Sequence, residues 1–166
     1  FTNGGDHDIH TLVNDWIQDP QDNKFQVPGN RPYYYDTIDK WYVDRVTNMS
    51  NLFQNKYEFN DNIGNWTVSN VTNMSNMFFN AYDFNRYIGD WNVSNVTNMS
   101  NMFLDARAFN QPIGNWQVYN VTSMTQMFQT SDNFNQDISG WNVSNVTSMR
   151  AMFVQSEKFN QPIGNW

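Results

Sequence analysis

The sequence predicts an α/β solenoid: five stacked 25-residue coils preceded by a helical cap. Three observations carry this. Trp recurs at 41, 66, 91, 116, 141 and 166, a strict period of 25. Counted from each Trp, the same apolar residues return at fixed positions. The first forty residues stand outside the repeat and hold one amphipathic helical pattern. A fixed period of this length marks an architecture in which each unit buries its core only by stacking on the next.

Five full repeats run from Trp41 to Asn165, and a sixth has only its first residue. We call each repeat position a column. Column three is always Val (43, 68, 93, 118, 143), column six always Val and column seven always Thr. Column nine is always Met. Columns twelve and thirteen are Leu52-Phe53, then Met-Phe four times. Column nineteen is always Phe, followed by Asn, and column twenty-three is always Ile. The stretches between vary freely: "QNKYE", "FNAYD", "LDARA", "QTSDN" and "VQSEK". A strict apolar column means that like side chains stack from coil to coil.

Within a coil, "I-x-x-W-x-V" alternates, so Trp and Val point inward while columns two and four point out. One short strand per coil is expected there, giving a parallel sheet with strands about 4.8 Å apart. Met74, Met77, Phe78 and Ala81 then fall at helical spacing. A short α- or 3-10 helix is expected over about Ser75 to Ala81 and its equivalents. The "SNVT" between them reads as a turn or a second extended piece, since Asn and Ser bond nearby backbone. Asn70, Asn95, Asn120 and Asn145 are expected to form a ladder to the backbone of the adjacent coil.

Residues 1–40 read as a capping segment and 41–166 as the five-coil unit, together one domain. "DHDIHTLVNDWIQDP" sets Ile9, Leu12, Val13, Trp16 and Ile17 on one face of a helix over about residues 8–18. Asp6 or Asp8 caps its start and Pro20 stops it. At the other end "IGNW" begins a new coil with no polar cap. Ile163 and Trp166 are therefore candidates for end-stacking, on further coils or on another chain.

Composition excludes several function classes. Net charge is −7 with nine Lys and Arg, against a nucleic-acid partner, which needs clustered cations on its phosphates. There is no Cys, so neither disulfides nor thiol chemistry. No apolar run approaches the eighteen or so residues that cross a bilayer. Opening on Phe1, the chain reads as a processed or truncated product.

The columns "WNVSNVTNMSNMF..A..FNQPIGNW" resemble the bacterial surface protein repeat of 25 to 26 residues, a BspA-like branch of the leucine-rich repeats. "LVNDWIQDP" resembles the lead-in segment of that family, so the likeness covers residues from about 9 to 166. The first coil departs most, with Asp44 and Arg45 where Ser-Asn is usual. The resemblance implies a right-handed, leucine-rich-repeat-like solenoid, a surface or secreted location, and association with adhesion. It carries no catalytic residue to transfer.

Each candidate site has a plainer reading beside it. The nine Met all fall in columns nine and twelve, so a core stripe is preferred to a metal cluster. Trp alternates with Val and is read as core, not as a sugar-stacking surface. His7 and His10 are three apart, but no third ligand is evident. No triad, phosphate loop, zinc spacing or calcium loop is present. No catalytic residue, metal site or cofactor is expected, and the protein is read as not an enzyme. Sequons are frequent; Asn92 and Asn142, in the outward column two, are the candidate glycosylation sites. The candidate binding face comprises Tyr42, Asp44, Thr67, Asn92, Gln117, Tyr119 and Asn142. The expected function is adhesion or recognition of a protein or glycan by an extracellular or cell-surface module. The alternative is a structural subunit that stacks head-to-tail on copies of itself.

Overall fold

The computed structural model describes residues 8–18 and 37–166. Asp6, His7 and Pro20 lie outside them. The helix α1 spans Ile9–Gln18 and buries Ile9, Val13 and Trp16, at spacings of four and three that place them on one face. Leu12 and Ile17 are partly buried beside them. A single 3-10 turn, Ile38–Lys40, leads into the first Trp.

From Trp41 on, the chain winds so that each residue sits beside the residue 25 places further along. Every apolar column is inward. Val43, Val46, Met49 and Phe53, with their counterparts in the next three coils, are all but fully buried. Two phenylalanine columns run the length of the stack, with stacked tryptophans beside them toward its ends. Phe53, Phe78, Phe103 and Phe128 stack at 5.5 Å between centroids. Phe59, Phe84, Phe109, Phe134 and Phe159 follow at 5.8–6.0 Å. Within a coil the two columns meet face to face, Phe78 to Phe84 at 3.9 Å. Trp116, Trp141 and Trp166 stack at 6.2–6.5 Å. Each inner indole is also tied down: the Nε1 of Trp66, Trp91, Trp116 and Trp141 donates to the carbonyl of Ile38, Ile63, Ile88 and Ile113 in turn. That satisfies the indole's one polar group, which would otherwise be stranded in the core.

The local structure of each coil differs from the sequence expectation in two ways. No strand forms across Trp-x-Val. Columns four and five are instead the middle of a β-turn, closed by Val46 N–H on the Val43 carbonyl at 2.9 Å and repeated in the four later coils. Parallel pairing is confined to one bridge per coil step at column eight, from Asn48 to Asn73, Asn98, Ser123 and Ser148. The turn on one side and the turns after Met49 on the other leave no room for a longer strand.

The expected helix over Ser75–Ala81 is also absent. Met77, Phe79 and Ala81 donate to the carbonyls three residues back, while Asn76, Phe78 and Asn80 donate to Ser100, Met102 and Leu104 of the next coil. The segment is a run of tandem turns whose N–H groups point alternately within the coil and between coils. Asn76 and Asn80 have φ of 56° and 58°. A right-handed helix does not hold such residues, whereas a type II turn needs one at its third position. Two positive φ values recur in every coil, at columns eleven and fifteen.

Glycine at column twenty-four has a steric cause. A Cβ on Gly89 would lie 2.4 Å from the Pro112 carbonyl oxygen, and one on Gly114 2.4 Å from that of Asp137. At these points one coil's backbone rests directly on the next.

Candidate functional site

Most of the 28 asparagines fall in five columns, each with its own bonding. At column five, the Nδ2 of Asn70, Asn95, Asn120 and Asn145 donates to the carbonyl of Asp44, Ser69, Ser94 and Tyr119 in the preceding coil, at 2.6–2.7 Å. This is the ladder the sequence suggested, and its residues are exposed. At column eight, the Oδ1 of Asn48, Asn73 and Asn98 accepts from the N–H two residues on. At columns eleven and fifteen, amide meets amide: Asn76 to Asn51, Asn101 to Asn76 and Asn80 to Asn55. At column twenty, the Oδ1 of Asn60, Asn85, Asn110 and Asn135 accepts the N–H of the Asn one coil later. Asparagine suits all five columns because one short side chain carries both a donor and an acceptor and tolerates positive φ.

The candidate binding residues are all on the surface. Tyr42 is 77% exposed and Tyr119 40%. Because columns four and five form a turn, the surface is not a sheet face. Column two (Tyr42, Thr67, Asn92, Gln117, Asn142) lies before the turn and column seven after it. The Oδ1 of Asn92 and of Asn142 accepts from Ser94 and Ser144 N–H at 3.1 Å. Gln117 donates to the Asn115 carbonyl at 3.2 Å. Asp44 belongs to the turn of the first coil and offers its carbonyl to Asn70.

Sequence reasoning missed column seven as part of this surface. Thr72, Thr97, Thr122 and Thr147 are exposed, and each donates both its N–H (2.8 Å) and its hydroxyl (3.0–3.2 Å) to the Thr carbonyl one coil earlier. The signal was present, since column seven is Thr without exception. The sequence leaves "SNVT" as either a turn or a second extended piece, and the structure divides it: columns four and five turn, and column seven bonds to the adjacent coil.

Charge is separated from this surface. Coils two to five place no charged residue in columns one to nine. Their ten charged residues, from Asp83 to Lys158, all fall in columns ten to twenty-five. There Arg107 pairs with Asp105 at 2.8 Å and lies over the Tyr82 ring at 4.7 Å. The same Asp105 contact raises the Arg107 pKa. Tyr87 donates to Asp90 at 2.8 Å, and that bond holds its phenol above the usual range.

The glycosylation candidates differ from the ladder residues in which end of the amide is held. The exposed Asn92 and Asn142 bond through Oδ1, and their Nδ2 has no partner among the described residues. The column-five asparagines, also in sequons, bond through Nδ2 itself. Ile163 and Trp166 are half-buried on the fifth coil. His10, the described member of the histidine pair, contacts Asp8 through Nδ1 (3.2 Å) and the Ser50 carbonyl through Nε2 (2.9 Å), tying α1 to the first coil. Among the described residues, no three His, Cys, Asp or Glu gather as a metal site. No described helix is long and apolar enough to cross a membrane.

One family model matches twice, over residues 25–131 and 113–166, the two segments together running from 25 to the last residue. No curated protein and no solved structure matches. The chain therefore belongs to the repeat family described as "Mycoplasma protein of unknown function, DUF285".

Proposed function

We propose that this protein is a non-enzymatic recognition module of the cell surface or extracellular space, built as a right-handed, leucine-rich-repeat-like solenoid of the BspA-like kind. It binds through the edge made by columns two, four, five and seven. The observation that carries this reading is the separation of charge. An exposed surface four coils long is kept free of charge, while the chain as a whole carries net −7. Extended surfaces of this sort are what stacked-repeat proteins use for partners. The repeat family and the recurring columns support the architecture, and the half-held amides support a surface shaped in advance.

Head-to-tail stacking is the weaker reading. The first coil's end is already covered by α1, whose Trp16 meets Trp41 edge-on at 6.0 Å and 78°. A second copy docking there would have to displace the helix.

The test uses Tyr42→Ala and Tyr119→Ala on an array of glycans and host-surface proteins. Both side chains are exposed, so thermal unfolding should stay within about 0.5 kcal/mol of wild type. Binding to any captured ligand should weaken about tenfold. Unaltered binding by both variants overturns the assignment of the face.

A further inference from the structure

We propose that the face takes an uncharged, hydroxyl-rich polysaccharide laid lengthwise across coils two to five. This rests on the binding face assigned above and adds the class of ligand.

The chemistry of the face selects against charge. Columns two, four, five and seven of these coils hold sixteen residues, and every one is Ser, Thr, Asn, Gln or Tyr. A sulfated or uronic polymer is held by Arg and Lys, whose charge-assisted bonds are about twice as strong as neutral ones. None stands here. A charged protein epitope would likewise meet no complement, and complementary charge is what speeds and orders such encounters.

The groups are also set in place before any ligand arrives. Each ladder side chain uses one end on its own backbone and keeps the other. Asn95 gives Nδ2 to Ser69 and retains Oδ1 as an acceptor. Asn92 gives Oδ1 to Ser94 and retains Nδ2 as a donor. Thr97 gives its hydroxyl proton to Thr72 and retains its oxygen lone pairs. Ordering one mobile side chain on binding costs about 0.5–1.5 kcal/mol, and the hydrogen bonds of the Asn and Thr columns lower that cost in the free protein. Alternating fixed donors and acceptors suit a ligand whose every hydroxyl is both. The half-exposed ring of Tyr119 adds an amphipathic platform in the middle of the run.

The period decides between a single sugar and a polymer. The same column lies one coil on, bound by the 2.8 Å bond from Thr97 N–H to the Thr72 carbonyl and its equivalents. One sugar would find several equal weak sites. A linear chain engages them together, and joining weak sites multiplies affinity.

The experiment is native affinity electrophoresis of the whole chain in gels holding β-glucan, mannan or galactan, against heparin, hyaluronan or alginate. Retardation is expected on at least one neutral polymer, and it should not change between about 0.05 and 0.5 M salt, because uncharged contacts are not screened. Tyr119→Ala and Gln117→Glu should each weaken it about tenfold or more, with Glu58→Gln on the charged side as a control that binds normally. Each variant is checked by thermal unfolding. Retardation by anionic polymers alone, lost in the same variants, overturns the ligand class while leaving the face intact. Neutral binding that ignores both variants overturns the face. No retardation on any neutral polymer overturns the proposal, and Tyr119-dependent capture on a protein array in that case assigns the face to a protein partner instead.

Discussion

At the scale of single residues, columns eleven and fifteen show where the repeat is under strain. Both hold positive φ in every coil, and Asn fills them in the first two coils. Later coils put Gln126, Thr130 and Ala151 there, with φ of 54°, 57° and 56°. Thr130 is the worst placed, because a branched Cβ crowds its own backbone in the left-handed region. Thr130→Asn should therefore stabilise the protein by about 1 kcal/mol, raising Tm by about 2–4 °C, as read by calorimetry. The reverse change, Asn80→Val, should lose at least as much, together with the bond to Asn55. A second test concerns Asp137, which accepts from Ser139 through the hydroxyl (2.7 Å) and then the N–H (2.9 Å). These bonds hold its carboxyl below the ordinary aspartate range. A depressed carboxyl contributes stability above its unfolded pKa and loses it as pH falls through the folded value. Ser139→Gly, the residue at that column elsewhere, should move the Asp137 titration upward by NMR. The stability gap between the two proteins should then close in acid. The apolar columns were legible in sequence because burial leaves identical residues at identical positions. The strained columns were not: "QNKYE" and "QTSDN" share no residue type at column fifteen, and the constraint there is a backbone angle that several side chains survive.

At the scale of elements, α1 and the tandem turns show why one helical pattern was real and the other was not. Ile9, Val13 and Trp16 are spaced four and three apart, and the helix closes with Leu12 N–H on the Asp8 carbonyl at 3.1 Å. Met74, Met77, Phe78 and Ala81 have the same spacing and are equally buried, yet they sit on turns. Inward spacing is shared by both geometries, so periodicity cannot separate them. What separates them is Asn76 and Asn80, which occupy the third place of the first and last of three overlapping turns, and the competing hydrogen bonds of the next coil. Those bonds are invisible in a single coil, because they belong to the stack. Among the described residues, the backbone of α1 makes no such bonds to a coil, and its Trp16 packs on Trp41. Trp16→Ala should cost about 3 kcal/mol. Because each coil touches only its neighbours, the damage should stay local. Hydrogen exchange should quicken in coil one while the amides of Thr122 and Phe128 keep wild-type protection. Uniform acceleration along the chain would show that the cap sets the stability of the whole stack instead.

At the scale of the molecule, the repeat makes a prediction that an ordinary globular core would not allow. Removing residues 91–115 deletes one whole coil and joins Asp90 to Trp116. Trp116 then stands where Trp91 stood, and its Nε1 inherits the Ile63 carbonyl that Trp91 used. Thr122 inherits the Thr72 carbonyl from Thr97 in the same way. Phe103 and Phe109 leave together, and Phe128 closes on Phe78 with the spacing the column already has. At the junction, each side chain that leaves is replaced by its own copy from the following coil. The shortened chain should fold cooperatively, with a denaturant m-value lower by about 15%, in proportion to the surface removed. A deletion of residues 91–102 removes fewer atoms but sets Phe103 under Trp66, Asn115 against Phe78 and the smaller Val121 against Phe84. That chain should not fold, because each buried column would then face unlike groups, and its inter-coil N–H donors would lose their carbonyls. Urea titration of both, followed by circular dichroism, distinguishes them. If the twelve-residue deletion folds as well as the whole-coil deletion, stacking in register is not what holds the molecule together.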